Sequence, residues 1–123
     1  MELKLYKNKF FIENVLKMES TINTLKYGNI EIAVADRGAE LRSYKVNGEE
    51  FMWDRNPEFW AASSPVLFPF VGTIKNGAYS FDGNKYEIST RHGFARTEGF
   101  ELVEKTENSL KFRFSSNKET LEK

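Results

Sequence analysis

The chain has 123 residues, 40% of them hydrophobic and 15% aromatic, and its 18 basic residues balance 18 acidic ones. That length suits one domain with a real core, while zero formal charge argues against nucleic acid as the main partner and gives little attraction to anionic membranes. With no cysteine and a single histidine, disulfides, thiolate nucleophiles, zinc–thiolate sites and His-rich metal sites are excluded.

In chain order, residues 1–18 differ from the rest of the chain. Lys-rich Met1–Lys9 leads into Phe10–Met18, which reads as a short helix or a loosely held strand. There is no uninterrupted apolar stretch of secretory type, and no run approaches the ~20 residues that a membrane span needs. The cytoplasm is therefore the default compartment. Residues 1–18 read as an N-terminal extension, either a frayed tail or an upstream start with Met18 as the natural beginning, and the domain is expected over residues 19–123.

From Ser20 the pattern is strand, turn, strand. Thr21–Tyr27 runs to Gly28-Asn29, and Ile30–Ala35 sets Ile30, Ile32 and Val34 on one face. Asp36-Arg37-Gly38 turns the chain. Leu41–Val46 reaches Asn47-Gly48, the strongest two-residue hairpin signal, and Glu50–Trp53 is expected to return. Asn56-Pro57 stops that run, and Glu58–Ala62 reads as a turn or short helix. Pro65–Val71 is apolar on both faces and holds two prolines, so a buried but irregular segment is expected. Ala78–Phe81 and Lys85–Ile88 flank Asp82-Gly83-Asn84 as a second hairpin. Phe100–Glu104 and Ser109–Phe114 form a third across Thr106-Glu107-Asn108, with Phe112 and Phe114 sharing a face. Turns about 8–12 residues apart, with the high aromatic share, indicate an all-β sandwich or barrel. Antiparallel sheets need their edges closed or covered, yet Ser115–Lys123 is polar and adds no final strand. Exposed strand edges therefore offer a route to a homo-oligomer.

The chemically pointed segment is Arg91-His92-Gly93-Phe94-Ala95-Arg96, a loop between strands, where binding residues concentrate. Histidine is the side-chain type suited to proton transfer near neutral pH, although a lone His is also commonly structural. The second feature is Ser64–Gly77. It reads either as a core strand or as a strand presenting polar residues at its end, where Thr73 and Lys75, two apart, would share a face if the chain stays extended.

These segments carry a resemblance to the galactose mutarotase (aldose 1-epimerase) family, in its bacterial aldose epimerase-like branch. The matching order is Gly38-Ala39-Glu40-Leu41-Arg42-Ser43, then Phe51-Met52-Trp53 and Trp60, then Pro65-Val66-Leu67-Phe68-Pro69-Phe70-Val71-Gly72, the Tyr79–Tyr86 hairpin, and His92-Gly93-Phe94-Ala95-Arg96. The resemblance implies an antiparallel β-sandwich of the galactose mutarotase type binding a small-molecule sugar in an open cleft. It implies interconversion of α and β anomers of an aldose such as galactose or glucose. In that reaction a carboxylate base takes the C1 hydroxyl proton and a His protonates the ring oxygen. The ring opens, rotates and recloses. Only protons move, so no cofactor and no metal is implied.

On that resemblance His92 is the candidate catalytic residue, contacting the sugar near its anomeric centre. Thr73, Lys75, Arg96, Phe94 and Trp60 are candidate substrate-binding residues. Thr73 stands where the family usually places an Arg that holds sugar hydroxyls, and Lys75 lacks that planar fork. A solvated charge for Lys75, an ion pair for Arg96 and core packing for Trp60 and Phe94 are the competing roles. The family's principal acid His, sugar-binding Asp and base Glu lie further along the family chain, which is more than twice as long, so a truncated, N-terminal portion is expected. Three alternatives stand beside the isomerase: a non-catalytic carbohydrate-binding protein, a fragment without independent function, and a hexose-phosphate mutarotase using Arg91 or Arg96 for the phosphate.

Overall fold

Turn chemistry sets the first sheet. In the computed structural model, which describes residues 20–122, β1 (Ile22–Tyr27), β2 (Ile30–Ala35), β3 (Leu41–Val46) and β4 (Glu49–Glu50) form one antiparallel sheet in that order. The extension expected over residues 1–18 lies outside the described residues. Asn47 and Gly48 both have positive φ, 53° and 83°, the backbone of a two-residue turn whose twist matches the strands it joins. Asp82 (φ 49°) and Gly83 (φ 76°) do the same between β5 (Ala78–Phe81) and β6 (Asn84–Glu87). There Tyr79 lies opposite Tyr86 and their rings stack at 5.2 Å. The third hairpin pairs β7 (Glu101–Lys105) with β8 (Leu110–Arg113). One turn of helix, α1 (Lys118–Leu121), comes after it, and a reciprocal capping box between Asn117 and Thr120 fixes its start.

The return strand after Asn47-Gly48 is shorter than the expected Glu50–Trp53: pairing stops at Glu50. The cause is the Glu50 side chain. Its carboxylate accepts the amides of Tyr44 (2.8 Å) and Met52 (3.0 Å) and the Ser43 hydroxyl, so it takes donors that a longer ladder would share out. The Ser43 hydroxyl and the Tyr44 amide hold this carboxyl down to about 2, with the Met52 amide and Lys45 adding to them against the opposing effect of desolvation.

Among the described residues, Glu40 is the buried charge. Its Oε1 accepts the Ser63 amide at 2.8 Å and the Ser64 amide at 3.3 Å, and its Oε2 accepts Arg42 Nε at 3.2 Å. Burial raises the Glu40 pKa, but the two amides, with Arg42 and Arg55, outweigh it and leave the group below the usual carboxylate range. The Ser63 and Ser64 hydroxyls both donate to the Leu41 carbonyl at 2.8 Å. The start of β3 and the approach to Pro65 are thereby fastened together.

From there the 65–71 segment runs beside the 92–95 loop. Phe94 and Ala95 amides donate to the Phe68 carbonyl at 3.0 and 3.3 Å, and Phe68 bridges Gly93 in parallel. The segment is irregular, as expected. It is not buried: Phe68 is 56% and Val71 74% exposed. Among the described residues Phe68 meets Phe94 and Phe70 meets Tyr79, while Val66, Phe68 and Val71 stay exposed. Among the described residues, the buried hydrophobic ones are Val34, Ala35, Ile88 and Ala95. Larger rings form a chain instead, with Phe94 meeting Phe68 at 6.0 Å and Phe114 at 6.2 Å, and Phe100 meeting Phe114 at 5.4 Å.

A Cβ on Gly93 would stand only 2.1 Å from the Phe68 carbonyl oxygen, and Gly93 has φ 70°. Gly93→Ala is expected to lower stability by about 2–4 kcal/mol, read as a lower urea midpoint; an unchanged midpoint contradicts the contact. For Glu40, a folded-state pKa below the unfolded value of 4.5 means its stabilisation is complete above that value and is lost as pH falls through the folded pKa. Glu40→Gln should therefore be less stable than the parent at pH 7, and the gap should narrow as pH falls from 4.5 through the lowered folded-state pKa. A gap independent of pH would show that the charge is not what Ser63 and Ser64 respond to.

Candidate functional site

The two segments singled out in the sequence meet. The His92 amide donates to the Gly72 carbonyl at 2.9 Å, and His92 Nδ1 bonds the Val71 carbonyl. A carbonyl can only accept, so Nδ1 carries the hydrogen and the neutral ring keeps its lone pair on Nε2. His92 has φ 68°, a left-handed backbone that L-residues adopt only when their surroundings enforce it. Here the enforcement is visible on both sides: Val71 and Gly72 hold the ring and amide, and the Thr90 hydroxyl donates to the Gly93 carbonyl at 3.1 Å. The result is a half-buried imidazole in a fixed tautomer at the end of the apolar segment.

Thr73 comes directly after Gly72 and is exposed, so it stands beside the backbone that holds His92. Lys75 does not share that geometry. Extended backbone ends at Ile74 (φ −77°, ψ 147°), and Lys75 opens a 3-10 turn, Lys75–Gly77. The alternation that would place Thr73 and Lys75 on one face is broken at that point. Phe94 is half-buried, edge-on to Phe68 and in contact with Phe114, which gives it a packing role. Trp60 ends the 56–60 turn, where its carbonyl accepts the Trp53 indole N–H at 2.8 Å. Its side chain is half exposed, and no hydrogen bond or ring contact among the described residues joins it to His92.

Arg96 lies in the 3-10 turn Ala95–Thr97 and makes no ion pair among the described residues. It lines a separate cleft with Arg37, Arg42 and Arg55. Sequence reasoning missed those three arginines as a group because they share no linear spacing and come together only through the fold. Among the described residues, no group of three or more His, Asp and Glu side chains is placed to hold a metal ion, and no helix is long and apolar enough to cross a membrane.

Comparison with known proteins gives this arrangement a context. Residues 21–123 match the family model for aldose 1-epimerase. The plasmid-borne protein LacX of Lactococcus lactis subsp. lactis is 34% identical over 103 residues, covering 80% of this chain and 34% of LacX. A galactose mutarotase related enzyme from Lactobacillus acidophilus has a crystal structure that superposes with a TM-score of 0.77 at 40% identity, over 83% of this chain and 34% of that one. A galactose mutarotase-like protein from Lactobacillus casei superposes with a TM-score of 0.77 at 30% identity, over 83% of this chain and 35% of its own. The chain spans about a third of the length of these relatives. Matched by the family model over residues 21–123 and superposing on galactose mutarotase-like structures, this all-β chain belongs to the aldose 1-epimerase family.

Proposed function

We propose that the chain forms one wall of a mutarotase-type sugar site, with His92 as the residue that contacts the sugar near its anomeric centre. The observation that carries this reading is the bond from His92 Nδ1 to the Val71 carbonyl. It directs the proton-exchanging nitrogen, Nε2, away from the main chain as an acceptor for a sugar hydroxyl. Once protonated, the same nitrogen becomes a donor to a sugar oxygen. A group that alternates between these roles suits anomer interconversion, in which a proton leaves the C1 hydroxyl and another reaches the ring oxygen. The family resemblance assigns the carboxylate base and the second His to parts of the fold beyond the matched region. Within residues 20–122, His92 therefore serves binding and polarisation, with Thr73 beside it. The substrate class is an aldose such as galactose or glucose.

A binding-only reading is favoured by one observation: the position after Gly72 is an exposed Thr73 and not an Arg, so a planar donor pair for adjacent hydroxyls is missing.

Titration of the chain with galactose or glucose, followed by Trp fluorescence, should saturate. His92→Ala should weaken binding about 2- to 10-fold, the effect of losing one neutral hydrogen bond. Polarimetry on freshly dissolved α-galactose and α-glucose separates the two readings. Acceleration over buffer that disappears in His92→Ala supports the isomerase, and saturable binding without acceleration supports the binding protein. Neither binding nor acceleration at high protein concentration removes both. Thr73→Arg is expected to tighten sugar binding by roughly fivefold or more, and a variant that binds no better argues that this position does not face the sugar.

A further inference from the structure

Asparagine followed directly by glycine occurs twice in the chain, as Asn47-Gly48 and Asn76-Gly77. The pair has a chemistry of its own. The glycine main-chain nitrogen can attack the asparagine side-chain carbonyl carbon, because no Cβ blocks the approach, and asparagine is among the thermolabile residues. The sequence ranks the two pairs equally, and so does the local backbone. Asn47 and Gly48 have φ 53° and 83°, and Asn76 and Gly77 have φ 59° and 62°. Both asparagine side chains are exposed.

The attacking nitrogens differ. The Gly77 amide donates to the Ile74 carbonyl at 3.0 Å, its carbonyl accepts the Ile88 amide at 2.8 Å, and the residue is half-buried. Attack from this nitrogen must first break its bond and shift the start of β5. The Gly48 amide makes no hydrogen bond among the described residues. Gly48 is exposed, and nothing lies within 4 Å of where its Cβ would stand. The electrophile differs too. Asn29 Nδ2 donates to Asn47 Oδ1 at 3.2 Å, and Oδ1 is the atom that gains negative charge when the carbonyl carbon is attacked. Beyond the turn, β4 is only two residues long, Glu49–Glu50, so the turn can rearrange at the cost of little ladder.

We infer that Asn47 is a site of spontaneous deamidation and that the fold protects Asn76 from the same reaction. Hydroxide removes the Gly48 amide proton, and the nitrogen bonds to Asn47 Cγ. The Cγ–Nδ2 bond breaks, and Nδ2 leaves as ammonia after taking a proton from water. Water then adds to either carbonyl of the resulting five-membered ring and opens it. One opening gives aspartate at position 47; the other gives isoaspartate, with the main chain running through the former side chain. No oxidation state changes, and water is the co-reactant. The two products act differently on the hairpin. Aspartate keeps the backbone and can still accept from Asn29, beside Lys26 and Lys45. Isoaspartate adds a main-chain carbon to a two-residue turn, which breaks the register of Lys45 with Glu50 and Val46 with Glu49 and draws Glu50 away from Ser43, Tyr44 and Met52. The inference is independent of the sugar-site reading.

The test is ageing of the 123-residue chain in mildly alkaline buffer, with and without denaturing urea, followed by peptide mapping in a mass spectrometer. In the folded chain Asn47 should convert at least about fivefold faster than Asn76, the factor that one retained hydrogen bond supplies. In urea the two rates should converge, since both pairs then meet the same chemistry without the fold. Each site thus serves as the control for the other, and no variant has to fold. A second measurement separates the products. Aged chain enriched in isoaspartate should unfold at a lower urea midpoint than fresh chain, whereas Asn47→Asp should keep the fresh midpoint. The inference is overturned if Asn47 converts no faster than Asn76 in the folded chain, if the same preference persists in urea, or if the folded chain leaves Asn47 intact while the denatured chain converts it. A midpoint lowered equally by Asn47→Asp overturns the assignment of the damage to the turn backbone.

Discussion

A single buried carboxylate organises the described part of this chain. Removing Glu40 from water carries a cost that only good partners offset, and its partners are distant in sequence. The amides of Ser63 and Ser64 lie 23 and 24 residues further on, so the carboxylate is satisfied only when the whole 51–64 loop returns to the start of β3. That return fixes where the 65–72 segment begins. The segment in turn presents the Phe68 carbonyl to the 94–95 amides and the Val71 carbonyl to the His92 ring. On its other side the same carboxylate holds Arg42 and attracts Arg55. The histidine face and the arginine cleft are therefore both downstream of one charge.

The remaining hairpins depend on a different kind of contact. An isolated two-stranded hairpin is marginal in water, and both β5–β6 and β7–β8 are two-stranded. The buried hydrophobic side chains, Val34, Ala35, Ile88 and Ala95, are too small to anchor them by area alone. Anchorage comes from rings and main chain. Phe70 meets Tyr79 edge-on at 5.6 Å, tying β5 to the 65–72 segment. The Ile88 amide donates to the Gly77 carbonyl at 2.8 Å. Phe100 and Phe114 flank β7 and β8 and continue the ring chain through Phe94 to Phe68. Each hairpin is thus fastened at the end nearest the 65–72 and 92–96 segments, where the candidate site lies.

Much of this was legible in the residues, for reasons that differ by element. Asn47-Gly48 and Asp82-Gly83 declare their turns because few residues tolerate the left-handed backbone they adopt, and the alternating strands beside them inherit their register. Pro65–Val71 misled on burial, because an apolar run reports hydrophobicity and not which neighbours arrive to cover it. Glu50–Trp53 misled on length, because strand propensity does not register a carboxylate that captures the amides of Tyr44 and Met52. The meeting of His92 with Val71 and Gly72 was not read from the sequence, since no local rule links positions about twenty apart. The arginine cleft was only partly legible: Arg96 stood out in the 91–96 loop, but positions 37, 42 and 55 are unremarkable until the fold assembles them.

The chemistry of His92 stems from backbone conformation more than from its surroundings in general. A left-handed residue followed by a left-handed glycine, φ 68° and 70°, turns the chain sharply. The turn lets the His92 amide and ring reach two successive carbonyls while Gly93 slips past Phe68 without a Cβ. A histidine on a regular strand would be free to present either nitrogen, and its tautomer would follow the ligand. Here the main chain sets the tautomer, and in the proposed site that prior ordering would let a single polar side chain contribute to binding without losing rotamer freedom at that moment. Thr73 follows on the same ordered backbone, so in the proposed sugar site it would set a hydroxyl where the family resemblance implies a guanidinium.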